Sequence, residues 1–185
     1  MDIHVSFSPM ARAGGAGFTG GMKILAGISG ALTLLLTGAM AGVFFAYSTS
    51  VMMGLDAIKP EQAIAAMRSI NVKIQNAVFL PAFLLVPVLA AATGVLLLVL
   101  GQRAAGLVFF LAAAAYVFGV LVPSFAVNIP MNDALDTAKV PAGEAAHVWS
   151  DYSSRWTLWN HVRTVFSSLA LLLAGLGLFL WDRQA

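Results

Sequence analysis

The sequence contains no cysteine. Disulfides, iron–sulfur clusters and thiol catalysis are therefore excluded. Charge is almost as scarce. Asp, Glu, Lys and Arg together make up 10% of the 185 residues, against about 25% in a typical soluble domain. The formal net charge of +2 is small and dispersed, so no nucleic-acid partner is expected. The charges that exist are segregated. Residues 24–47, 77–101, 106–127 and 164–181 contain no Asp, Glu, Lys or Arg. A membrane-spanning helix needs about 20 apolar residues, with a range of roughly 17 to 25. All four runs qualify, in a chain that is 60% hydrophobic with a mean hydropathy of +0.89. The chain therefore reads as all-α: a four-helix transmembrane bundle in the lipid bilayer, with no room for a separate soluble domain.

The densest polar and aromatic run is Trp156-Thr157-Leu158-Trp159-Asn160-His161-Val162-Arg163. On a helix at about 100° per residue, Trp156, Asn160, Arg163 and Ser167 fall on one stripe. Thr157, His161, Thr164 and Ser168 form the stripe beside it. Leu158, Val162, Val165 and Leu169 lie opposite. A polar arc inside a membrane helix must face protein, water or a ligand, because lipid cannot satisfy it.

Residues 1–22 are rich in Gly, Ala and Ser and lack an apolar period. They are expected to form a disordered tail ahead of a single membrane domain over residues 23–183. Met22-Lys23 is an alternative translation start to Met1. Lys23 and its apolar run also resemble a signal peptide, with Ala39-Met40-Ala41 as the cleavage site. That run continues through Tyr47, beyond the ~7–15 residues of a signal core, so a retained first helix is the reading. It carries Gly38-x-x-x-Gly42, a spacing suited to a close helix crossing and also common in any membrane helix.

The predicted spans cover about 24–48, 74–101, 105–127 and 156–181. A short helix over residues 60–72 opens at Pro60 with Glu61 in its first turn, and is expected to rest on the membrane surface between spans one and two. Pro81 and Pro87 predict kinks in the second span. Pro130 disfavours a helical Ile129, so the third span is expected to break near Asn128. A further helix restarts near Gly143 and runs into the fourth span.

Alternation of four spans brings most polar groups to one face. Tyr47 comes from the end of the first span and Asn76 from the start of the second. Asn128 and Asn132 follow the third. Tyr152, Trp156, Trp159, Asn160, His161 and Arg163 lead into the fourth. Direct or one-water pairing of Asn128 or Asn132 with Asn160 or Arg163 is expected. Each candidate also has a plainer role. The tryptophans suit an interfacial belt, Arg163 can reach the headgroups, and His161 can be a structural histidine. No metal site is expected. His147 and His161 are fourteen residues apart, or about 21 Å along a continuous helix, and the nearby carboxylates fall at no ligand spacing. The flanks favour cytoplasmic termini in the cell membrane, with the polar face outside.

Four segments carry a resemblance. They are Val43-Phe44-Phe45-Ala46-Tyr47-Ser48 with Gly54-Leu55; Ala66 to Asn71 with Asn76-Ala77-Val78-Phe79; Asn128-Ile129-Pro130-Met131-Asn132-Asp133; and Trp149, Tyr152 and Trp156-x-x-Trp159-Asn160-His161-x-Arg163. Over roughly residues 25–180 the chain resembles the anthrone-oxygenase-like family of small four-helix membrane proteins. Some fungal members belong to polyketide pathways and oxidise anthrones to anthraquinones. The resemblance implies an oxidoreductase with O2 as co-substrate, no cofactor and a lipophilic aromatic partner. His161 would be the base, and Arg163 and Asn160, with Asn132, would hold the oxyanion. Trp156, Trp159 and Tyr152 would enclose the rings, near Asn128, Asn76 and Tyr47. The alternative is a non-enzymatic membrane subunit or a quinone-binding protein. A transporter would need a homo-oligomer, and the chain has no internal repeat.

Overall fold

The computed structural model describes residues 9–141 and 143–183, with side chains from Phe18 onward. The described residues are helical with short connections. Helix α1 (Pro9–Ala46) passes through a π-helical turn (Tyr47–Val51) into α2 (Met52–Asp56). Next come α3 (Pro60–Ile74) and α4 (Phe79–Val99). Helix α5 (Arg103–Tyr116) continues through π-helical turns at Val117–Leu121 and Ser124–Asn128 into α6 (Ile129–Thr137). The last helix, α7, spans Ala145–Asp182. Four stretches are long and apolar enough to cross a membrane: Phe18–Asp56, Phe79–Val99, Arg103–Thr137 and Ala145–Asp182. Such segments are helical because lipid offers the backbone no partners, so every amide must bond within its own segment.

Helices α1 and α5 each pack against both α4 and α7, which sets a cyclic order α1–α4–α5–α7. The closest approaches follow the small residues. A Cβ on Gly106 would stand 2.9 Å from the Gly94 carbonyl oxygen, so only glycine lets α5 come this near α4. A Cβ on Gly119 would run into Phe166 of α7. The expected close crossing at Gly38 and Gly42 is not one of these sites. Gly42 has open space beside it, and Gly38 has only ordinary contact distance to Leu171. At the end of the bundle where α4 meets α5, Ala26, Leu97, Ala105 and Trp181 share one apolar cluster.

Two sequence expectations are corrected. Helix α1 starts at Pro9, inside the expected tail. Proline's preset φ suits a first turn and the following alanines favour helix; residues 1–8 lie outside the described residues. Ile129 is helical, with φ −66° and ψ −51°, and the chain continues to Thr137. The π turn before it restarts the register, so Pro130 sits in a first turn where its missing N–H is not required. Pro87 is inside α4 and cannot donate to the Phe83 carbonyl one turn earlier. The Tyr116 hydroxyl donates to that carbonyl instead, at 3.1 Å.

Helix α3 is the short helix expected between the first two spans, and its apolar face packs on the bundle end. Ala63, Ile64 and Met67 are buried against Trp149, Tyr152 and Trp156 of α7 and Leu135 of α6. Each large aromatic buries roughly 150–250 Å², enough to hold α3 down across the bundle end. Arg68 completes the dock. Its Nε and Nη2 donate to the Leu135 carbonyl (3.0 and 2.8 Å), and Nη2 donates to Ala138 (2.7 Å). These carbonyls end α6 and have no helical partner, and a cation there also suits the helix dipole.

Candidate functional site

The α7 stripe foreseen from the sequence faces inward. Trp156, Asn160, Arg163 and Ser167 are all buried, and Asn160 and Ser167 are 0% exposed. Asn160 is held from three directions. Its Nδ2 donates to the Phe44 carbonyl and to Ser48 Oγ, both at 2.8 Å. Its Oδ1 accepts from Arg163 Nη2 at 2.9 Å. The amide orientation follows, since only the nitrogen can donate to a carbonyl.

Arg163 is 7% exposed. Its guanidinium lies over the Phe44 ring at 4.8 Å and the Trp156 ring at 4.9 Å. Nη1 makes a long contact of 3.4 Å to Ser124 Oγ, and Nε is buried without a partner. Its hydrogen-bond partners are Asn160 and Ser124, both neutral, and among the described residues no carboxylate pairs with it. Two aromatic faces and one amide oxygen thus compensate a buried cation. Such an arrangement is stable only because the quadrupoles of both rings point negative charge at it.

A second layer fixes the tryptophan. Asn132 Oδ1 accepts from Trp156 Nε1 at 2.9 Å and from the Tyr152 hydroxyl at 2.8 Å. The indole can only donate, so the Asn132 amide nitrogen is the group left over. Asn128, 1% exposed, donates from Nδ2 to the Trp156 carbonyl at 3.2 Å. Of the expected direct or one-water pairing of Asn128 or Asn132 with Asn160 or Arg163, no direct bond is present among the described residues. Both asparagines bind Trp156, and Trp156 carries the link by stacking on Arg163. Below this layer Asp56 Oδ1 accepts from Trp149 Nε1 (2.8 Å) and Ser153 Oγ (2.7 Å), tying α2 to α7.

These groups border a cavity of about 440 Å³, a size that suits a small organic molecule. Phe44 and Tyr47 line it from the first helix, Asn71 and Gln75 from α3, and Phe79, Leu80 and Phe83 from α4. The third spanning helix contributes Ser124, Phe125, Ile129, Asn132 and Asp133, and α7 contributes Trp156, Asn160 and Arg163. Most of the wall is apolar, and its polar groups include the Arg163 cation, the amides of Asn71, Gln75, Asn132 and Asn160, and the Asp133 carboxylate. Asn71, 3% exposed, has an unpartnered Nδ2. With the Arg163 charge, this wall is suited to oxygen acceptors and developing negative charge.

Of the residues singled out from the sequence, Tyr47, Asn132, Trp156, Asn160 and Arg163 line the cavity. Tyr152 and Asn128 support it from behind. Three others are elsewhere. His161 is exposed and borders a shallow groove with Asp56, Ser153 and Thr157. It lies two residues before Arg163, about 200° around the helix, so the bundle cannot bury both. Trp159 is half-buried and outside the cavity lining. Asn76 is exposed, and its Oδ1 accepts from the backbone N–H groups of Val78 (3.0 Å) and Phe79 (2.9 Å), an N-cap arrangement at the start of α4. Among the described residues, no three His, Asp or Glu side chains converge as metal ligands. Phe44 and Ser124 were not singled out from the sequence, and Ser48 and Asp133 were placed at the polar end without a site role. The small residues and the phenylalanine look like ordinary membrane-helix composition, and Asp133 like a loop charge.

The fold and cavity define a class: a helical bundle of membrane-crossing length whose polar end holds a cavity with a buried guanidinium on its wall. The family model for "Anthrone oxygenase" matches residues 71–173, more than half of the chain. The chain belongs to the anthrone oxygenase family. Neither curated proteins nor solved structures gave a match.

Proposed function

We propose that this protein oxidises a flat, lipophilic, anthrone-type aromatic with molecular oxygen, in the cavity beside Arg163. The observation that carries the reading is the buried guanidinium on the cavity wall, with no carboxylate partner among the described residues and a free Nε. A cation held this way is poised for an anionic guest.

The chemistry follows from the substrate. Loss of a proton from the central methylene of an anthrone converts its ketone to an enolate. The negative charge develops on oxygen, where Arg163 and the Asn71 amide can donate to it. Asp133 is the one carboxylate among the described lining residues, and it takes the proton. The electron-rich carbon then adds O2 to form a carbon–oxygen bond. Loss of the second hydrogen with cleavage of the oxygen–oxygen bond leaves a new carbonyl and releases water. One O2 is consumed per methylene, one oxygen atom entering the quinone and the other leaving as water. No cofactor is required for this balance. This reading gives His161 no role; it borders a separate groove.

The test is oxygen uptake by the purified protein in bilayer nanodiscs, supplied with a hydroxylated anthrone under conditions of slow autoxidation. The expected result is one O2 consumed per quinone formed, at a rate proportional to protein. Tight binding of the anthrone with uptake at the autoxidation rate would leave a small-molecule-binding membrane protein instead.

A further inference from the structure

The cavity mouth differs in character from its interior. Helix α4 packs closely along α5 and more loosely along the stretch that follows. Near the point of divergence Tyr116 donates to the Phe83 carbonyl, and past it two π-helical turns carry the chain through Phe125. Phe125 is 56% exposed, Leu80 40% and Ile129 38%, yet all three line the cavity. A side chain that belongs to both a cavity wall and the outer surface marks an opening. This opening is apolar on both jambs. Phe79 and Phe83 stack at 5.7 Å with 12° between planes, and Phe83 lies 6.3 Å from Phe125, so an aromatic row leads inward.

Depth can be judged from α4. Its 21 residues extend about 31 Å at 1.5 Å per residue, matching a hydrocarbon core of about 30 Å. Leu80 and Phe83 are therefore within the first turns of the apolar layer. Amphipathic aromatic molecules concentrate at that level, with rings in the acyl region and oxygens toward the headgroups.

The geometry points to a lateral entrance between α4 and the Ser124–Asn132 stretch, framed by Leu80, Phe125 and Ile129, which admits an acidic aromatic ligand directly from the bilayer. The ligand class rests on the proposed function; the route rests on the exposed lining residues. The oxygen-bearing edge enters first, toward Arg163, and the trailing apolar edge stays in the phenylalanine row. A ligand modified on that trailing edge should still bind if the modification can remain in lipid.

The cysteine-free sequence allows a clean assay. Ile74→Cys, or Val43→Cys should the first variant fold poorly, places one thiol on the cavity lining. Its labelling by a small membrane-permeant maleimide reports occupancy in nanodiscs. Three ligands are compared: a free dihydroxyanthraquinone, the same ring joined at its trailing edge to a phospholipid acyl chain, and the ring joined there to a polyethylene glycol. The free and acyl-joined forms are expected to slow labelling about tenfold when present at roughly ten times their Kd, and the polymer-joined form to leave it unchanged. Protection by the polymer-joined form alone of the two would overturn the lateral route in favour of an aqueous one. Protection by the free ligand alone would overturn it too, since an entrance open to lipid must pass an acyl tether. No protection by any form would refute the ligand class itself, and with it this inference.

Discussion

Arg163→Met separates a catalytic guanidinium from a structural one, because the two roles move different quantities. The side chain is 7% exposed and holds two aromatic faces at 4.8 and 4.9 Å, a hydrogen bond of 2.9 Å to Asn160 and a long one of 3.4 Å to Ser124. Two buried cation–π contacts contribute about 1–2 kcal/mol each. Leaving Asn160 Oδ1 without its donor costs about 1–3 kcal/mol. Against these, removing a buried cation recovers a desolvation penalty of several kcal/mol. Methionine also fills the space and contacts aromatic rings favourably. The opposing contributions cancel to within about 2 kcal/mol, so the folded yield and unfolding midpoint should be close to wild type. Catalysis has no such compensation. Loss of one oxyanion donor lowers turnover about 10²–10³-fold. The assay is oxygen uptake per folded molecule in nanodiscs, alongside thermal unfolding followed by circular dichroism. A fall in stability with normal specific activity would refute the reasoning and return Arg163 to a structural role.

His161→Ala should keep specific activity within about twofold of wild type, since general-base loss would instead cost about 10²–10⁴; a drop of that larger size in oxygen uptake would place His161 in the mechanism after all. Asn132→Leu should be strongly destabilising. It leaves the Trp156 indole and the Tyr152 hydroxyl without their shared acceptor, at about 1–3 kcal/mol for each buried donor. A thermal midpoint equal to wild type would show that neither bond matters to the fold.

The α7 stripe shows how far periodicity reaches. Trp156, Asn160, Arg163 and Ser167 share a face by their spacing alone, and that face is the buried one. The inference works because lipid penalises polar groups so heavily that a polar arc must turn inward. Asn76 shows where the same reasoning misleads. It is an asparagine at the start of a span, on the polar end, and so looked like a wall residue. Its Oδ1 instead closes the first turn of α4. Composition near a helix end does not distinguish a cap from a ligand contact, because both need a short polar side chain there.

The one-dimensional pattern determined the architecture: four charge-free runs, each long enough to cross a bilayer, admit little but a helical bundle. It also determined which end would be polar and, through its motifs, the family. It could not decide between His161 and Arg163. Two residues apart on a helix, they face different surroundings, and only the placement of α1 and the third helix chooses which is enclosed. Nor could it find Phe44, the second aromatic face on the guanidinium, which lies 119 positions away from it. The lateral opening has the same origin. It arises where the packing of α4 on its antiparallel neighbour loosens beyond Tyr116, and a gap between helices belongs to no single segment of sequence.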